Sequence, residues 1–242
     1  MEVHAHSHTE RKKWTHYFWE FFMLFLAVTA GFFVENQREH LVENHRAKQY
    51  AVSLLIDLKE DTTSLRGMIN GRNYRKERLD SLMDELEKPL LKQNDTILFH
   101  IGIYEIANRA YFSPRTGTYE QIQNSGSLRY FPSELATKLV YYNSLLGLLD
   151  KQLEIENKYV IENVINLRGS FCNQKYLRYE KEGQKYSVTE PLISKNRDIQ
   201  LRLYSATNYL LERNKIYILY LNKTKDVCVA LVNDLKENYH IE

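Results

Sequence analysis

Residues that break or bend a chain are scarce here: 9 glycines and 4 prolines in 242 residues. Such a chain makes few turns and favours long helices. Cysteine is nearly absent, with Cys172 and Cys228 alone, so a disulfide-stapled small fold is excluded. Charge of one sign is missing too. The formal net charge of +2 lacks the basic excess of a dedicated nucleic-acid binder. No RNP-type sequence or zinc-finger spacing appears. The 18 tyrosines are scattered at helical spacing, as amphipathic core filler rather than a base-stacking platform.

Catalytic signatures are also missing. There is no Gly-rich phosphate loop, no His-Glu-x-x-His and no Gly-x-Ser-x-Gly. A Glu-x-x-His di-iron pattern is absent. Beyond the N-terminal region only His100 and His240 remain, too few for most acid–base or metal chemistry. His100 and Glu105 read as core and surface of one helix. Glu154 and Glu156, and Lys59-Glu60-Asp61, read as solvated charges. The expectation is a protein that is not an enzyme, needs no cofactor and has no evident small-molecule substrate.

One long apolar run stands out. Trp14 to Val34 is interrupted only by Thr15, His16, Glu20 and Thr29. A bilayer core takes about 20 residues of helix. Trp14, Tyr17 and Trp19 cluster at one end like an interfacial belt, just after Arg11, Lys12 and Lys13. The layout is that of a signal anchor. A cleaved signal competes with it, because Val28-Thr29-Ala30 would pass as a cleavage site, and so does a buried core helix. Against cleavage, the run continues through Gly-Phe-Phe-Val. The basic flanks tie in number: Arg11, Lys12 and Lys13 face Arg38, Arg46 and Lys48. The contiguous first three favour a cytoplasmic N-terminus.

On a helical projection His16, Ala27, Gly31 and Val34 share a sector with Glu20, opposite the bulky phenylalanines. Ala27 and Gly31 form a small-xxx-small pair that lets helices approach closely. An ionisable group in a span usually faces protein or water rather than lipid. With no second span in the sequence, the expected partner is another copy or another membrane protein. Glu20, with His16 one turn before it, either pins that interface or lines a cation or proton pore.

Six of the eight histidines lie within the first 45 residues. His4, His6 and His8 alternate in "VHAHSH" and can present imidazoles to Zn, Cu or Ni. The competing reading is a polar tail near the headgroups. Their titration near neutral pH also makes the tip a candidate pH sensor.

Past Val34 nothing breaks the helix before Pro89. Ala47, Ala51, Leu54, Leu58, Leu65 and Met68 or Ile69 form an apolar stripe, continued by Leu79, Leu82, Met83 and Leu86. A second helix is expected from Asp95, as its cap, to Tyr111. A short helix follows over "TYEQIQNSG", with Thr118 as N-cap and Gly126 as stop. A third long helix starts near Pro132, carries Leu135, Leu139, Tyr142, Leu146, Leu149, Leu153, Val160, Val164 and Leu167, and ends before Gly169. Residues 175–188 are a candidate small β-hairpin. The last helix runs from Arg197 to Tyr239, with Leu203, Leu210, Tyr217 and Leu231 at multiples of seven and Leu221, Cys228 and Leu235 beside them. The expected fold is all-α: an N-terminal membrane helix continuing into an antiparallel bundle. If that domain is extracytoplasmic, Cys172 and Cys228 are a candidate disulfide; otherwise both are core residues.

"HAHSH…RKKWTHYFWEFFMLFLAVTAGFFVENQREH" resembles the start of a widespread family of uncharacterised single-pass membrane proteins typical of Bacteroidota. "YEQIQNSGSLR", Tyr119 to Arg129, resembles that family's internal helix–turn signature. The resemblance supports the anchor and the helical domain, and the expected organisation is a His-rich basic cytoplasmic tip over 1–13, an anchor over 14–34 and a helical periplasmic domain over 35–242. It implies no activity. The expected function is assembly, as a homo-oligomeric scaffold or an accessory subunit of an envelope complex. The alternatives are a channel lined by Glu20 and His16, and a metal- or pH-responsive sensor using His4, His6 and His8.

Overall fold

A computed structural model of the chain describes residues 14–108, 110–176 and 190–241. Among them the regular structure is helical, in the order α1 (Trp14–Glu87), α2 (Asp95–Tyr104), α3 (Gly117–Asn124), α4 (Ser133–Tyr159), α5 (Ile165–Phe171) and α6 (Arg197–Tyr239). Short 3₁₀ turns, Leu90–Lys92 and Ser127–Tyr130, lie between them, and a π turn, Val160–Val164, joins α4 to α5. The expected all-α class holds. The candidate hairpin over 175–188 lies, beyond its first two residues, outside the described residues. Its flanks are tied by an isolated antiparallel bridge between Cys172 and Leu192.

The chain divides into two compact units, residues 1–49 and 50–242. The described part of the first, 14–49, is α1 alone. It holds the only window among the described residues long and apolar enough to cross a membrane, with a mean hydropathy of 1.8 and no residue of it buried. Its large apolar side chains from Trp14 to Val34 are exposed, and Trp14, Phe18 and Phe22 stack along one side at about one-turn spacing.

The second unit is built around residues 50–87 of α1, α4 and α6. Each, α4 together with its continuation through the π turn into α5, contributes to two apolar clusters. One contains Leu54, Leu58 and Leu65 of α1, Leu135 to Leu149 of α4, and Tyr217, Leu221, Cys228, Leu231 and Leu235 of α6. The other contains Leu79, Leu82 and Leu86 of α1, Val160, Val164, Leu167 and Phe171, and Ile199 to Leu211 of α6. Along α1 and α4 the first cluster precedes the second; along α6 the order reverses. Therefore α6 runs antiparallel to the other two, and the segment carrying α2 and α3 brings the chain back between α1 and α4. Every residue of the α6 stripe predicted from spacing is buried. Burying such stripes supplies most of the stability of helices like these.

Several boundaries move, each for a visible reason. The second helix stops at Tyr104 instead of Tyr111, because buried groups from other helices take up the backbone that follows (below). Its cap is Asn94, whose side chain accepts from the N–H groups of Thr96 and Ile97, rather than Asp95. The cap of α3 lies two residues earlier, at Thr116, and the Thr118 hydroxyl is diverted to Asp57 Oδ2 at 2.5 Å. Gly126 ends it in the left-handed region, φ 67°, where a side chain would be strained. The third helix passes through Gly169 to Phe171, with the π turn absorbing one extra residue through the Ile165 N–H to Val160 carbonyl bond. At Gly102 a Cβ would stand 2.7 Å from Phe171 Cζ, so α2 and α5 touch there because a side chain is missing.

The turn after α1 is fixed by Glu85, whose side chain is 4% exposed. It accepts from Lys88 Nζ and from the Asn94 N–H, both at 2.6 Å. The Lys88 ammonium first, then the Asn94 amide, hold its carboxyl below the ordinary 4.5. A depressed acid stabilises the fold above that value and loses the contribution as pH falls through its folded pKa. Glu85→Gln is therefore expected to cost about 1–2 kcal/mol at pH 7. Urea unfolding of both chains should show the difference shrinking as the pH is taken below 4.5.

Candidate functional site

Two constellations are candidates, one in each unit. In the first, the structure keeps His16, Glu20, Ala27 and Gly31 on α1, where the sequence placed them. His16 Nε2 lies 3.0 Å from Glu20 Oε1, with the two side chains about half exposed. A shallow concavity on this face is lined by His16, Trp19, Glu20, Met23, Leu24 and Ala27. A Cβ added at Gly31 would meet nothing within 4 Å. The contact between His16 and Glu20 within a single turn gives each polar side chain a partner in an otherwise apolar segment. His4, His6 and His8 lie outside the described residues. Among the described residues no group of three or more His, Cys, Asp or Glu is placed to hold a metal ion.

The second constellation is buried between the two apolar clusters. Arg72 and Arg75 of α1 and Glu156 of α4 are each at most 2% exposed. Arg72 Nη1 reaches both Glu156 oxygens, at 3.0 and 3.3 Å, and Arg75 Nη1 donates to Glu156 Oε1. Asn214 of α6 accepts from Arg72 Nη1 at 3.3 Å and donates to the Arg72 carbonyl at 2.9 Å. The Arg72 guanidinium carbon lies 4.3 Å from the centre of the Tyr217 ring, a desolvated cation–π contact. Burial outweighs its carboxylate partner and pushes the Arg75 pKa down.

The same arginines hold the segment after α2. Arg75 Nε donates to the Glu105 carbonyl at 3.1 Å, Arg72 Nη2 to the Ala110 carbonyl, and the Phe112 N–H to the Tyr217 hydroxyl at 3.4 Å. The expected helix over 105–111 gives way to these bonds. The Glu105 side chain is itself buried, so the group balances two arginines against two carboxylates. Arg72 Nε, Arg75 Nη2 and Glu105 Oε2 are buried without a hydrogen-bond partner.

Glu156 thus corrects the reading of a solvated charge, and Asp61, at 2% exposed, corrects it again. Asp61 accepts from the Tyr142 hydroxyl at 2.8 Å and from the Arg115 N–H at 3.0 Å. Together with Asp57 on Thr118 and Glu60 on Arg115, it fastens the start of α3 to α1. Beside it Thr62 Oγ1 lies 3.2 Å from Cys228 Sγ. Glu60 alone of the 59–61 acids stays about half exposed.

The candidate disulfide is not formed. Cys172 and Cys228 are buried free thiols in different apolar clusters, because one closes α5 and the other sits deep in α6. Burial pushes the Cys172 pKa up to about 12, so its thiolate is scarce and its reactivity low. No family model, curated protein or solved structure matches the chain.

Glu156→Ala leaves two buried guanidinium groups facing one another. It is expected to cost about 3–5 kcal/mol in denaturant unfolding. Replacing Arg72, Arg75 and Glu156 together by apolar residues should restore much of that while speeding amide exchange over 105–112, which loses its anchors. At Asp61, burial raises the carboxyl above the ordinary 3.8 despite the Tyr142 and Arg115 bonds. An acid raised by folding stabilises most below its unfolded pKa and loses that contribution as pH rises through the folded value. Asp61→Asn should flatten this fall in a series of unfolding curves between about pH 3 and 7.

Proposed function

We propose that this chain is a single-pass inner-membrane protein that acts by assembly, as a homo-oligomeric scaffold or an accessory subunit of an envelope complex, without chemistry of its own. Its N-terminus is cytoplasmic and its helical unit periplasmic. The observation that carries the reading is the His16–Glu20 pair, 3.0 Å apart, on an apolar helix segment whose own chain buries none of it. Lipid is a poor neighbour for a polar pair and a good one for the aromatic side of the same helix. A protein helix over Glu20 satisfies both. The two buried thiols fit either redox compartment and do not bear on topology.

The reading is tested at Gly31. A leucine there meets nothing in its own chain but would block a close helix approach. Gly31→Leu is expected to convert the assembled species to smaller ones in mild detergent. The thermal unfolding of the helical unit should stay within about 0.5 kcal/mol of the unsubstituted chain. An unchanged size distribution would remove the assembly reading.

A further inference from the structure

A groove of about 360 Å³ lies between the π turn and α6, wholly within the second unit. The π turn, Val160–Val164, carries one residue more than a regular turn. Across from it α6 offers the small pair Ser205 and Ala206, so the two surfaces do not close on each other there. The floor is apolar, formed by buried Leu167 and Ala206, and exposed Leu201 walls one side. An apolar floor under a few converging polar groups is the usual make-up of a small-molecule site.

The polar groups on its rim decide what fits. Glu162 of the π turn and Arg202 of α6 both line the groove, yet they do not pair with one another. Glu162 forms no ion pair among the described residues. Arg202 has Asp198 one turn before it, at 3.9 Å and exposed, a contact of little worth. The two strips of helix run antiparallel, and Tyr159 stacks on Tyr209 with ring centroids 3.9 Å apart. Counting 1.5 Å per residue from that contact, Glu162 lies about 4 Å along the groove and Arg202 about 10 Å. Asn166, which also lines the groove, stands level with Arg202 by the same count. Asn163 stands beside Glu162, with its amide N–H given to the Tyr159 carbonyl at 3.2 Å. One end of the groove therefore offers acceptors, the Glu162 carboxylate and the Asn163 oxygen. The other offers donors, the Arg202 guanidinium and the Asn166 amide. The two ends are about 6 Å apart along the helices. A ligand with one charge would satisfy one end and leave the other unmet. A small molecule carrying an ammonium beside a carboxylate, with a charge-assisted hydrogen bond at each end, meets both.

We infer that this groove binds a free α-amino acid with an apolar side chain. Glu162 and Asn163 take its ammonium, Arg202 and Asn166 its carboxylate, and Leu167, Leu201 and Ala206 its side chain. The site goes beyond the assembly reading and does not depend on it.

The test is titration calorimetry of the full chain in mild detergent. The probes are L-leucine, L-methionine and L-phenylalanine, each with its N-acetyl form, which lacks the ammonium, and its amide, which lacks the carboxylate. At least one of the free amino acids should bind with a Kd below about 1 mM, and both of its blocked forms at least tenfold more weakly. Glu162→Gln and Arg202→Gln should each weaken that amino acid at least tenfold. Both side chains are exposed, so the thermal unfolding of the two variants should match the unsubstituted chain. No binding of any of the three free amino acids would overturn the inference. So would equal binding of the free and blocked forms, or full affinity in both variants.

Discussion

The contact on which the second unit depends is the carboxylate of Glu156 held between two guanidinium groups. It lies where the three long helices cross from one apolar cluster to the other. Leucines on either side can slide past one another with modest loss, since apolar contacts are not directional. A buried charge has one place where it is neutralised. Displacing α4 by a turn would leave Glu156 among leucines and both arginines unpaired, at a cost of several kcal/mol. The polar layer need not make the bundle more stable than a leucine layer would. It makes one alignment of α1, α4 and α6 far better than its neighbours.

Around that layer the irregular parts find their places. The segment between α2 and α3 contains buried Ile106 and Phe112 and would have unpaired carbonyls if it merely lay on the core. Arg72, Arg75 and Tyr217 supply the missing donors and acceptor from helices on two sides. Asp61 does the same for the next stretch by taking the Arg115 N–H. The loop is thus ordered by side chains from α1 and α6, and local propensity has little say in it.

Much of this was legible and some was not. Gly and Pro placement gave the end of α1 to within two residues of Pro89, and the sevenfold spacing of Leu203, Leu210 and Tyr217 gave α6 its full length. The helix expected through Tyr111 failed because its competitors are distant in sequence: Arg75 lies 30 residues from Glu105 and Arg72 38 from Ala110. The π turn was hidden because Val160, Val164 and Leu167 fit ordinary helical spacing. The buried charges, by contrast, left a signal. Arg72 stands seven residues from both Leu65 and Leu79, Glu156 seven from Leu149, and Asn214 seven from Leu221. A polar residue on an apolar stripe in each of three helices is the mark of a shared buried layer, and reading residue type ahead of position concealed it. On the Glu20 face the order is reversed: position alone grouped His16, Glu20, Ala27 and Gly31, and the helix keeps them together.

The spacing of the polar layer along the chain has a consequence for how the protein is made. Arg72 precedes Glu156 by 84 residues and Asn214 by 142. While the chain is being synthesised, the two positive charges on the inner side of α1 therefore have the single carboxylate of Glu105 to balance them until α4 brings the second. Collapse of a nascent α1 on the short helices that follow it would bury two guanidinium groups with one carboxylate, leaving one charge uncompensated. The layer thus acts as a timing device, postponing consolidation until the helix bearing the acid is available and sparing the growing chain an early, misaligned core.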